Sequence, residues 1–194
     1  LISYNTMLIS NLEQQQLGVD DPRFGVIDIL VDPDTNAVYM AKHTQLISKE
    51  DLELFKSGMN VRKQIQHENI LAFVHYEAEE DNHEITCLYE YPGDLQDYRA
   101  YDLSDISLYQ FITDVLSALS HMQSRKMVHA DVRPEYVHYD EQGGRWILLD
   151  RLKDGSSPLQ VQLNNINDEQ PLYMAPEIFK KLCNKANSDQ LDYD

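Results

Sequence analysis

The chain has 194 residues, 42% of them hydrophobic and 25% charged, a mixture that suits one or two packed domains and excludes a disordered tail. Its formal net charge of -17 argues against nucleic acid as a partner and against anionic membrane surfaces, because both are bound through concentrated Lys and Arg. Two cysteines, Cys87 and Cys183, are too few for a disulfide framework or a zinc site and fit a reduced, cytoplasmic setting. No apolar run reaches the ~18–20 residues of a spanning helix. The opening "LISYNTMLIS" lacks the basic region of a signal peptide and also an initiator Met, so a fragment or processed chain is expected.

In chain order, "FGVIDILVD" and "NAVYMAKHTQL" flank "DPDTN", whose Asp, Pro and Asn favour a tight turn; this reads as a hairpin. "SKEDLELFKSGMNVRKQIQHENI" reads as a helix with Ser48 as N-cap and acidic residues in its first turn. Its apolar positions Leu52, Phe55, Met59, Val61 and Ile65 are loosely periodic, with Gly58 in the middle. "EITCLYEY" is a strand ending at "PGD". Beyond Gly93 the pattern turns helical. Ile106, Tyr109, Phe111, Ile112, Val115, Leu116, Leu119 and Met122 recur at helical spacing over 105–125, with Ser104 as the cap. "EYVHYD" and "RWILLD" then flank "EQGG", a second hairpin turning on Gly143 and Gly144. A β-rich part over 1–92 and a helical part over 93–194, joined at "YPGD", predict two lobes and a hinge.

"VHADVRPEYV", from Val128 to Val137, resembles the H-R-D-L-K-P-E-N catalytic loop of eukaryotic protein kinases. Further landmarks follow in that family's order. "VYMAKHTQL" resembles the third strand with its lysine, and "HENIL" the exit from the regulatory helix. "CLYEYPGDL" resembles the last small-lobe strand and hinge, with Tyr89 as gatekeeper and Glu90 next to it as a nucleotide-contact candidate. "ILLDRL" stands at D-F-G, and "PLYMAPEIF" at the end of the activation segment. The resemblance implies an α+β, protein-kinase-like bilobal fold: an antiparallel small-lobe sheet and a partial helical large lobe that stops after "SDQLDYD". Pro134 and Glu135 resemble the serine/threonine branch.

The same resemblance assigns roles. Gly18 and Gly25 edge the nucleotide cover, but the middle glycine is gone, the loop is about two residues longer, and Asp20 and Asp21 would repel a triphosphate. Lys42 is the phosphate-contacting lysine. Its glutamate partner falls at Gly58, and Glu53 faces elsewhere. Asp131 matches the proton acceptor, Arg133 replaces the catalytic-loop lysine, Ala130 the arginine that receives an activation-segment phosphate, and Tyr136 the metal-holding asparagine. His129 is the structural histidine. Asp150 matches the metal-binding aspartate, with Arg151 a candidate salt-bridge partner for it or for Asp131. The activation segment carries Ser156 and Ser157 and no threonine.

Lys42, Asp131 and Asp150 survive without their supporting residues. The expectation is a pseudokinase acting as an interaction or scaffold module, with no tightly bound cofactor and at most weak ATP and Mg. The partner expected is a protein or larger assembly covering the exposed apolar surface of the large lobe, not nucleic acid or membrane. An active or atypical serine/threonine kinase, and a nucleotide-binding switch without transfer, remain the alternatives.

Overall fold

The computed structural model describes residues 8–93, 95–97, 105–127, 129 and 132–150. A five-stranded antiparallel sheet in the order β1-β2-β3-β5-β4 forms the small lobe. Its strands are β1 (Glu13–Asp21), β2 (Gly25–Val31), β3 (Val38–Gln45), β4 (Phe73–Glu79) and β5 (Glu84–Glu90). The β2–β3 hairpin is the expected one. Asp32 closes its turn: its carboxylate accepts from the Asp34 N–H at 2.9 Å and its carbonyl from the Asn36 N–H at 2.8 Å, with Asn36 in the left-handed region. β1 and β4 are the outer strands, and sequence patterning had named neither. β1 is exposed along most of its length, so no alternation of apolar residues marks it.

The helix α1 (Lys49–Arg62) starts as expected: the Ser48 side chain accepts from the Asp51 N–H at 3.1 Å. It ends about two turns earlier than the pattern suggested. Gln64 and Ile65 bond back to Val61 and Arg62 in tight turns, and the Arg62 side chain holds the Ile65 and Leu71 carbonyls, drawing the chain off the helical path. The buried stripe also differs. Val61 is exposed, whereas the neighbouring Arg62 joins Leu52, Phe55 and Met59 inside.

In the large lobe, α2 (Asp105–Ser124) packs on a three-stranded sheet of β6 (Gln96–Asp97), β7 (Val137–Asp140) and β8 (Arg145–Leu148). The β7–β8 hairpin turns where expected, with Gly144 at φ 61°. Trp146 is the anchor: its backbone N–H donates to Asp114 on α2 at 2.8 Å and its ring meets Phe111 edge-on at 5.0 Å. One core cluster runs through both lobes, from Leu52, Met59 and Tyr89 to Ala118, Met122 and Trp146. The lobes are also joined by backbone: the Leu71 N–H donates to Leu148, and the Leu148 N–H to Asn69. On its outer face α2 leaves Leu108, Tyr109, Ile112 and Leu116 exposed, Tyr109 by 74%. Among the described residues no helix is long and apolar enough to cross a membrane. The Ser104 cap and all positions after Asp150 lie outside the described residues.

Candidate functional site

The cleft is roofed by the β1–β2 hairpin. Gly18, at the register irregularity within β1, and Gly25, the first residue of β2, both have positive φ, and the Gly18 N–H donates to Asp28 at 2.8 Å. The two extra residues do not lengthen the loop. Strand pairing continues to Asp21 and Gly25, with irregular register earlier in β1, leaving a turn of Pro22, Arg23 and Phe24. Asp21 is no bare charge in the loop, contrary to expectation. The Arg23 guanidinium donates to it at 2.6 and 3.0 Å and the Arg23 backbone N–H at 2.8 Å. Burial opposes ionisation of Asp21, yet these bonds outweigh it and hold the carboxyl below its usual range. Phe24 is fully buried in the core.

Lys42, on β3, is almost buried. Its ammonium donates to the carbonyls of Phe24 and Val26, each at 3.1 Å. At the position of the expected glutamate partner, Gly58 is buried on α1 and has no side chain to offer. Glu53 indeed faces elsewhere, paired with Lys56 at 2.8 Å.

Asp150 follows β8 at the floor of the cleft and is buried. Its partner is Arg62, whose Nε donates to both carboxylate oxygens at 2.8 and 3.1 Å. Nη1 donates to the Ile65 carbonyl at 3.0 Å and Nη2 to the Leu71 carbonyl, and the guanidinium lies 5.7 Å from the Phe73 ring centre. Asp150 is thus paired with Arg62 from the other lobe; Arg151, the suggested partner, lies outside the described residues. Sequence reasoning missed Arg62, although a signal existed: with Leu52, Phe55 and Met59 it continues a 3-4-3 spacing on one helix face. The buried carboxylate also acts on its surroundings. Burial first, and Asp150 second, push the Tyr89 phenol and the Cys87 thiol well above their usual ranges.

On the large-lobe side, Arg133 and Tyr136 are buried together. Arg133 donates to the Tyr136 hydroxyl at 3.0 Å and its guanidinium lies 5.0 Å from the ring. His129 contacts the Leu149 carbonyl through Nε2 at 2.9 Å, tying its loop to the segment that carries Asp150. Asp131 and Ala130, and Ser156 and Ser157, lie outside the described residues. Of the expected site residues, Lys42 meets the β1–β2 hairpin, Asp150 meets α1 through Arg62, and Arg133 packs on Tyr136.

At the hinge, Glu90 ends β5 opposite Tyr39, with its side chain exposed. Its N–H donates to Ala72 at 2.9 Å, and the Tyr91 N–H donates to Val38 at 3.0 Å. Pro92 has no N–H. Residues 90–92 therefore have no uncommitted backbone donor facing the cleft. The Gly93 carbonyl accepts from Arg23 at 2.8 Å. Among the described residues, no three His, Cys, Asp or Glu side chains gather where they could hold a metal ion.

A family model described as "Protein kinase domain" matches residues 14–193. The chain is 29% identical over 176 residues to calcium-dependent protein kinase 5 of Plasmodium berghei, covering 79% of this chain and 29% of that protein. It is 24% identical over 161 residues to human myosin light chain kinase 3, covering 80% of this chain and 19% of that protein. It thus spans less than a third of the length of these relatives. Among solved structures, the twitchin kinase region from C. elegans superposes with a TM-score of 0.62 at 17% identity, over 75% of this chain and 26% of that one.

Proposed function

This chain belongs to the protein kinase family, and from that premise we propose that its kinase-like domain is a pseudokinase, serving as a protein-binding module. One observation carries the reading: Asp150, the carboxylate that should hold a metal ion, is locked in a buried pair with Arg62. Phosphoryl transfer depends on placed metals and neutralised phosphate charge. A divalent ion at Asp150 would have to displace the Arg62 Nε–H shared by both carboxylate oxygens, and would meet a buried positive charge there. The residues present do not fit Mg-ATP in other respects. The Lys42 ammonium gives two of its donors to carbonyls of the roof, Gly58 supplies no glutamate, and Tyr136 puts a phenol in place of an amide oxygen.

For a protein partner, the exposed side chains of α2, led by Tyr109 and Leu116, offer apolar surface of the kind that interfaces bury. The test is twofold. Thermal unfolding with and without millimolar Mg-ATP should give the same midpoint, since only a ligand of the folded state raises it. Phosphotransfer by the wild type should equal that of Asp131→Asn. A wild-type rate clearly above the variant's would make this a working serine/threonine kinase and end the pseudokinase reading.

A further inference from the structure

We propose that the β1–β2 turn is a latch: Arg23 ties the roof of the cleft to the hinge, and the closed cleft depends on that tie. The inference concerns regulation of the same cleft and rests on the reading that Mg-ATP does not occupy it. Arg23 lies 70 positions before Gly93, yet its Nη1 donates to the Gly93 carbonyl at 2.8 Å. Its Nη2 lies 3.5 Å from the Tyr91 hydroxyl, and its guanidinium is 5.9 Å from the Tyr91 ring. Asp21 is the positioning residue. By holding Nε, Nη2 and the backbone N–H of Arg23 at once, it fixes the guanidinium plane so that Nη1 points at the hinge.

Closure has a second part inside the cleft. Phe24, next in sequence, is fully buried, and its carbonyl, with that of Val26, holds the Lys42 ammonium. The hairpin therefore does two things a bound ligand would otherwise do: it accepts hydrogen bonds from the lysine and fills apolar space beneath the sheet. Nothing covalent holds it there. Arg23 sits at the rim, partly open to water, and once it leaves Gly93 the turn is held by Phe24 alone, so that its lifting takes the Phe24 carbonyl off Lys42. A lysine is a poor substitute at position 23, because three directed donors cannot be replaced by one ammonium.

Amine acetylation with an N-hydroxysuccinimide ester, read residue by residue by mass spectrometry, tests the latch. In the wild type, Lys42 should react far more slowly than Lys49 and Lys56. Arg23→Ala should raise the Lys42 rate about tenfold through local opening, with Lys49 and Lys56 unchanged. Arg23→Lys should behave more like Arg23→Ala than like the wild type. An unchanged Lys42 rate in a folded Arg23→Ala protein overturns the proposal. Should that variant not fold, Asp21→Asn takes its place, since it keeps the guanidinium but loses its positioning; no acceleration there overturns the proposal equally. The two readings fail separately. Mg-ATP binding by the wild type would sink the pseudokinase reading whatever Lys42 does, and an indifferent Lys42 with no Mg-ATP binding would sink only the latch.

Discussion

Two arginine–aspartate pairs border the cleft, one in its floor and one at its rim. Arg62 and Asp150 are 88 positions apart, and their side chains are 0% and 4% exposed. Arg23 and Asp21 are two positions apart and retain 12% and 7% exposure. The inner pair exists only because the fold joins α1 to the end of β8, and neither charge can reach water if the other is lost. The outer pair is made within one turn, and either partner could be solvated with a small movement. The same chemistry therefore has different consequences. A buried pair adds little over well-packed apolar residues but is severe to break, while a rim pair is modest to lose and acts chiefly on local geometry.

The largest expected effect comes from splitting the inner pair. Arg62→Met should lower unfolding free energy by about 3–5 kcal/mol, because Asp150 is left charged and buried. Removing both charges, as Arg62→Met with Asp150→Leu, should recover most of that loss. Urea denaturation of the two variants checks this, and a double variant as weak as the single one would refute the comparison. At the rim, Arg23→Ala should cost only ~1–2 kcal/mol in the same experiment, with an unchanged denaturant slope.

A pH series sharpens the contrast further. Asp21 is held below its ordinary range in the folded protein, so in acid the unfolded chain binds its proton first. Its contribution is thus complete above the unfolded carboxyl pKa of about 3.9 and lost as pH falls through the lower folded value. The stability gap between wild type and Arg23→Ala should accordingly narrow below about pH 4. The smallest effect concerns Cys87, buried behind Asp150. With its thiol pushed up in pKa, native protein should show no alkylation of Cys87 by iodoacetamide over the time in which denatured protein is fully labelled.

Local signals alone determined much of this protein. The Ser48 cap, the Asp32 and Gly144 turns, the β2–β3 and β7–β8 hairpins and the long α2 all follow from spacing and turn chemistry within a few residues. The motifs from Lys42 to "PLYMAPEIF" identified the family, because they follow one another in that family's order along the chain. Tertiary structure alone decided the state of the cleft. Outer strand β1 carries no apolar alternation, so it emerged only from pairing with β2. Arg62 reads as an ordinary helix residue until Asp150 arrives from 88 positions away. Arg23 reads as a loop cation until the hinge carbonyl of Gly93 is placed beside it. A charge in sequence has no fixed value. Its partner and its burial set what it does, and both are properties of the folded chain.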